Sequence, residues 1–145
     1  KHIRAMVNHL PDSLLGARDR ALLLLGFAGA MRRSDLVGLD VTDLAVADEG
    51  LVVNVRRGKT DQFGAGRKIG IPRGAHPETC PVRAIQTWLE LSGVVEGALF
   101  RAVNRHGHVS AARLSDRAVA DVVKRSLEAA GKSSRRFAGH SLRAG

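Results

Sequence analysis

"DVTDLAVADEGLVVNVRRGKTDQFGAGRKIGIP", residues 40–72, is where the periodicity of the chain changes. Ahead of it, apolar residues recur every three or four positions; inside it, β-branched residues gather in short runs broken by turn formers. "DVTDLAV" (40–46) and "LVVNVRR" (51–57) read as strands separated by the turn cluster "ADEG". "RKIGIP" (67–72) alternates as a third strand after the glycine-bearing "TDQFGAG" (60–66). Connections this short cannot carry a parallel crossover, so the three strands are expected to form an antiparallel meander.

Helical patterns flank the meander on both sides. "HIRAMVNHL" (2–10) spaces Ile3, Met6, Val7 and Leu10 at helical intervals and meets Pro11. "SLLGARDRALLLLGFAGAM" (13–31) carries Leu15, Leu22, Leu25 and Phe27 around a largely buried helix, with Ser13 as N-cap. A short helix, "RRSDLVGL" (32–39), follows directly. Beyond the strands, "CPVRAIQTWLELSG" (80–93) has Pro81 at a first helical position and Gly93 past its end. "GALFRAV" (97–103) reads as extended and leads into the turn "NRHGHVS". In "SDRAVADVVKRSLEAAG" (115–131), Ala118, Val119, Val122, Val123 and Leu127 share one face, and a last helix begins near Gly139. The fold class expected is α+β, mostly helical, with one small sheet.

A chain of 145 residues makes one domain with a single core. The longest apolar run, "ALLLLGFAGAM" (21–31), is too short to cross a bilayer, and neither a signal peptide nor a membrane partner is expected. One cysteine, Cys80, excludes an internal disulfide and the usual zinc frameworks, which fits a reducing cytosol. A net charge of +9 and a pI near 11.2 call for a polyanionic partner. Aromatic residues make up only 3% of the chain, too few for base-stacking single-strand platforms, so the expected partner is double-stranded DNA held by its backbone.

Cations gather in two places: Arg56, Arg57, Lys59, Arg67, Lys68 and Arg73 around the hairpin, and Lys124, Arg125, Lys132, Arg135, Arg136 and Arg143 near the end. Their acidic neighbours are only Asp61, Asp121 and Glu128, so these cations read as phosphate contacts. Arg32 stands where a long apolar helix breaks into a short one, a junction from which a guanidinium can face two phosphate oxygens. A surface pair with Asp35 is the alternative. Lys59 sits at the hairpin turn, where an ammonium can reach a leaving alkoxide; an exposed edge lysine is the alternative. His140 and Arg143, three apart, share a helix face and can meet at one anion.

Taken in order, these boxes resemble the catalytic domain of the tyrosine recombinase (phage integrase) family over nearly the whole chain. "MRRSDL" (31–36) matches the family motif around its first catalytic arginine, with Asp35 in place of the usual glutamate. "GKTD" (58–61) matches the hairpin-lysine box, and "HSLR" (140–143) the His-x-x-Arg box. The resemblance implies a mostly helical catalytic domain with a small three-stranded antiparallel sheet. It implies catalytic roles for Arg32, Lys59, His140 and Arg143, support from Asp35, and no cofactor or metal. The cations assigned to DNA are Arg33, Arg56, Arg57, Arg67, Lys68, Arg135 and Arg136. It further implies a 3′-phosphotyrosyl intermediate and a homo-oligomer, a tetramer on DNA, in the parent protein. The family's nucleophilic tyrosine follows the His-x-x-Arg box, and the 145 residues contain none. The expectation is a catalytic domain at 1–145 that is truncated C-terminally, lacks the N-terminal core-binding domain and is inactive alone.

Two other classes compete. A non-catalytic duplex-binding module would use the same basic surface. A metal-dependent nuclease would need clustered carboxylates, and Asp40, Asp43, Asp48 and Glu49 read instead as polar strand and turn residues. His106 and His108 lack a third ligand at a sensible spacing and read as a loop.

Overall fold

The computed structural model describes residues 2–55 and 66–131. Five helices and five strands follow in the order α1 (His2–Asn8), α2 (Leu14–Ala28), α3 (Arg33–Val37), β1 (Leu44–Ala47), β2 (Gly50–Val55), β3 (Arg67–Pro72), α4 (Pro81–Ser92), β4 (Arg101–Val103), β5 (Val109–Arg113) and α5 (Asp116–Ala129).

The expected meander is present: β1, β2 and β3 are neighbours in sequence order and antiparallel, with Leu44 opposite Val53, and Val55 opposite Arg67. Leu51, Val53 and Val55 point inward and Val52 outward, the alternation a one-sided sheet requires. The first strand is shorter than expected. Residues 41–43 form a 3-10 turn instead, because the Asp43 carboxylate accepts the Asp40 N–H at 2.8 Å and draws the backbone into a cap.

α2 is the central post. Ala21 to Leu25 are buried without a polar face, the pattern of a helix enclosed on all sides, although Phe27 near its end is exposed. Ser13 caps it as expected, its Oγ accepting the Gly16 N–H at 3.1 Å. Gly16 is required there, because a Cβ would lie 1.8 Å from the Pro11 carbonyl oxygen. α2 packs against α4, and α5 closes the core against α1 and α3 through Val119, Val122, Val123 and Leu127. α4 begins at Pro81 and ends at Gly93 in a left-handed cap (φ 71°). Its Trp88 is fully buried and donates from Nε1 to the Leu99 carbonyl at 2.9 Å.

The segment after α4 holds a second hairpin, β4–β5, where only an extended run and a turn were expected. Asn104 organises its tip: Oδ1 accepts the N–H groups of His106 and His108 at 2.8 and 3.0 Å. Among the described residues no helix is long and apolar enough to cross a membrane.

Candidate functional site

α2 stops at Ala28, and the chain turns through Gly29 and Ala30, the latter at φ 50°, the left-handed region that costs a non-glycine residue about 1 kcal/mol. Met31 then plunges into the core, and Arg32 emerges exposed with an extended backbone (φ −78°, ψ 161°) at the head of α3. Its main chain is fixed by Asp35, whose Oδ2 accepts the Arg32 N–H at 3.0 Å. The expected alternative, an Arg32–Asp35 side-chain pair, is therefore not what the carboxylate makes. Asp35 holds the backbone of its neighbour, and its ion-pair partner is Arg67 of β3, at 4.0 Å. The Arg32 guanidinium makes no hydrogen bond or ion pair with any described residue.

Arg67 shares the inner side of β3 with Ile69 and Ile71 and reaches the same Asp35 oxygen from beyond the core. One Asp35 oxygen thus accepts the Arg32 backbone N–H and faces the Arg67 guanidinium. Lys68, exposed, lies on the opposite side of the strand. Arg33 turns toward α5, with Nε 3.2 Å from Asp116 Oδ1 but off the hydrogen-bond line, so it ties α3 to α5. Lys59, His140, Arg143, Arg56, Arg57, Arg135 and Arg136 lie outside the described residues.

Two further contacts had no signal in the sequence. Arg113, at the end of β5, donates from Nη1 to the carbonyls of Val37 and Leu39 at 2.8 and 3.0 Å, and from Nη2 to Asp40 Oδ1 at 2.6 Å. Within α2, Arg18 donates from Nε and Nη2 to Asp19 Oδ1 at 3.0 and 2.8 Å, with both side chains 6% exposed. Burial pushes the Asp19 carboxyl above its ordinary value, outweighing the opposing pull of Arg18 and Arg125.

Two of the carboxylates weighed for a metal are engaged otherwise: Asp40 pairs with Arg113, and Asp43 caps the 3-10 turn. Among the described residues no group of three or more His, Cys, Asp or Glu side chains is placed to hold a metal ion. What the geometry offers is an exposed guanidinium with no partner among the described residues, a group suited to an oxyanion, on an arginine whose backbone is held by the carboxylate that faces Arg67.

Residues 1–145 match the family model described as the phage integrase family. The chain belongs to the phage integrase family. It is 42% identical over 134 residues to an integrase/recombinase xerD homolog of Selenomonas ruminantium, a match covering 92% of this chain and 39% of that protein. It is 38% identical over 130 residues to a tyrosine recombinase of Synechococcus elongatus, covering 88% of this chain and 37% of the other. Its fold matches the crystal structure of XerH site-specific recombinase bound to palindromic difH substrate, a post-cleavage complex, with a TM-score of 0.70, at 17% identity and over 98% of this chain and 38% of that one. The chain spans about two-fifths of the length of these relatives. The meander and its helical frame are those of the integrase fold, as "MRRSDL" and the strand pattern led us to expect.

Proposed function

We propose that these residues are the catalytic portion of a site-specific DNA recombinase that cleaves and rejoins duplex DNA through a 3′-phosphotyrosyl intermediate. The observation that carries this reading is Arg32. It is exposed, unpaired among the described residues, and held by the backbone at the head of a short helix in a chain of the integrase family.

The chemistry needs few parts. A tyrosine oxygen attacks the phosphorus, the bond to the 5′ oxygen breaks, and negative charge develops on the non-bridging oxygens. Arg32 and Arg143 stabilise that charge, a contribution typically worth about a hundred- to a thousand-fold in rate per donor. Lys59 gives a proton to the departing 5′ oxygen, and His140 takes the proton of the nucleophile or binds the phosphate. Asp35 supports Arg32 and does not react. The nucleophile comes from outside the 145 residues, which contain no tyrosine. Double-stranded DNA is the partner, and recombination takes place in a tetramer on DNA.

The test is fluorescence anisotropy with labelled duplex DNA across a salt series. Contact with about six phosphates gives a slope of log affinity against log salt of roughly −5. A flat response refutes the DNA reading. Cleavage by the 145-residue chain with no tyrosine supplied in trans refutes the mechanism.

A further inference from the structure

We propose that Arg113 is a positioning residue that sets the pose of Arg32, an inference that rests on reading Arg32 as a phosphate contact.

α3 has only five residues, too few to hold its own shape, since helices of under about a dozen residues are marginal in water. Its geometry must be imposed from outside. Leu36 supplies one anchor, being fully buried, and Asp35 ties the first turn to the Arg32 N–H. A buried side chain and a cap still leave the far end open, because the last carbonyls of a helix have no partner within it. Arg113 closes that end. One guanidinium takes the Val37 and Leu39 carbonyls and the Asp40 carboxylate together, joining residues 73 to 76 positions apart.

The clamp does not hang on a loose support. The Leu39 carbonyl also accepts the Leu99 N–H at 3.0 Å, and Asp40 bridges Ala98. The Leu114 N–H donates to the Phe100 carbonyl at 2.9 Å, so the residue after Arg113 is stitched to the same strand segment. Phe100 and Leu99 are fully buried, and Leu99 in turn is held by Trp88. Arg113 therefore transmits the rigidity of the α4 core to the C-terminal end of α3. Five residues of helix span about 8 Å, so that end lies little more than one turn from Arg32. A cation at the carbonyl end of a helix is also the favourable sign. Lysine, a point charge on a flexible stem, cannot make the same planar three-acceptor contact.

The test is a double-mutant cycle on duplex binding by the purified chain, read by anisotropy across a salt series. Arg32→Met is expected to weaken binding about tenfold and to reduce the magnitude of the salt slope by about 1. Arg113→Met and Arg113→Lys should each reproduce most of that loss, and Arg32→Met combined with Arg113→Met should bind no more weakly than Arg32→Met alone. The 15N–1H signal of the Arg32 Nε–H should shift in both Arg113 variants. If Arg113→Met does not fold, Arg113→Lys and Asp40→Asn probe the clamp from its two ends. Additive losses, as from an independent phosphate contact or general destabilisation, overturn the proposal. So does full affinity in Arg113→Lys, which would mean that charge alone matters. If Arg32→Met itself leaves affinity and slope unchanged, the reading of Arg32 has failed, and the inference fails with it.

Discussion

Replacing Asp19 by alanine should cost this domain more stability than almost any other polar substitution. The carboxylate is nearly enclosed between α2 and α5, receiving two hydrogen bonds from Arg18 on one oxygen and facing Arg125 at 3.9 Å on the other. Removing it leaves the Arg18 guanidinium, 6% exposed, with the Arg101 carbonyl at 3.2 Å as its remaining acceptor. Breaking a buried pair from one side typically costs about 3–5 kcal/mol. The surviving carbonyl contact, and a neighbouring cavity of about 140 Å³ through which water can reach the group, place Asp19→Ala at the lower end, about 3 kcal/mol. Thermal denaturation followed by circular dichroism should show Tm falling by about 6–12 °C. Arg18→Met with Asp19→Leu removes both charges and should come within about 1 kcal/mol of the parent, since a buried pair rarely outperforms apolar packing. The sign of the pH effect follows from burial. The folded state holds the Asp19 proton more tightly than the unfolded chain, so the stability this group contributes is complete below about 3.8 and is lost as pH rises through the higher folded-state value. Asp19→Asn should abolish that part of the pH dependence. A loss below about 1 kcal/mol in Asp19→Ala, or a double variant weaker than the single one, would refute the reasoning.

Two smaller tests address the backbone. Gly16→Ala drives a Cβ to within 1.8 Å of the Pro11 carbonyl oxygen, and the α1–α2 turn must move; urea unfolding should show a loss of about 2–3 kcal/mol. Ala30→Gly relieves the left-handed backbone at φ 50°, partly offset by the greater freedom of the unfolded chain, for a net gain of about 0.5 kcal/mol in the same assay. A loss of stability in Ala30→Gly would show that the turn is not strained.

Much of the frame was legible because local signals agreed with the tertiary answer. Ser13, Pro81 and Gly93 mark helix ends by capping chemistry that needs no partner elsewhere, and "LVVNV" and "RKIGIP" alternate because one side of the sheet is buried. The failures have equally local causes. Residues 41–43 are β-prone in composition, but the Asp40–Asp43 cap competes with the strand and wins. β5, "VSAAR", has small side chains and no alternation, so only pairing with β4 makes it a strand. Of the candidate site, Arg32 and Asp35 stand out in the sequence because they belong to one six-residue motif. Arg113 does not, because its acceptors lie in α3 and the turn after it, more than seventy positions back along the chain. The long guanidinium stem crosses the fold without leaving a pattern in the residues beside it.

Cys80 gives the domain a native stopwatch. It is the chain's single cysteine, 4% exposed at the head of α4, with its sulfur accepting the Gly74 N–H at 3.2 Å. Burial pushes the thiol up, but the N–H groups of Arg83, Gly74 and Val82 together with Arg73 more than offset this and leave it below its ordinary value. The opening that uncovers the sulfur also removes those N–H groups, so the uncovered thiol reacts as an ordinary cysteine, and while covered it is shielded. Its rate of labelling by a thiol reagent therefore counts the openings of the α4 start, the same helix whose Trp88 steadies Leu99, with no probe added and no residue changed.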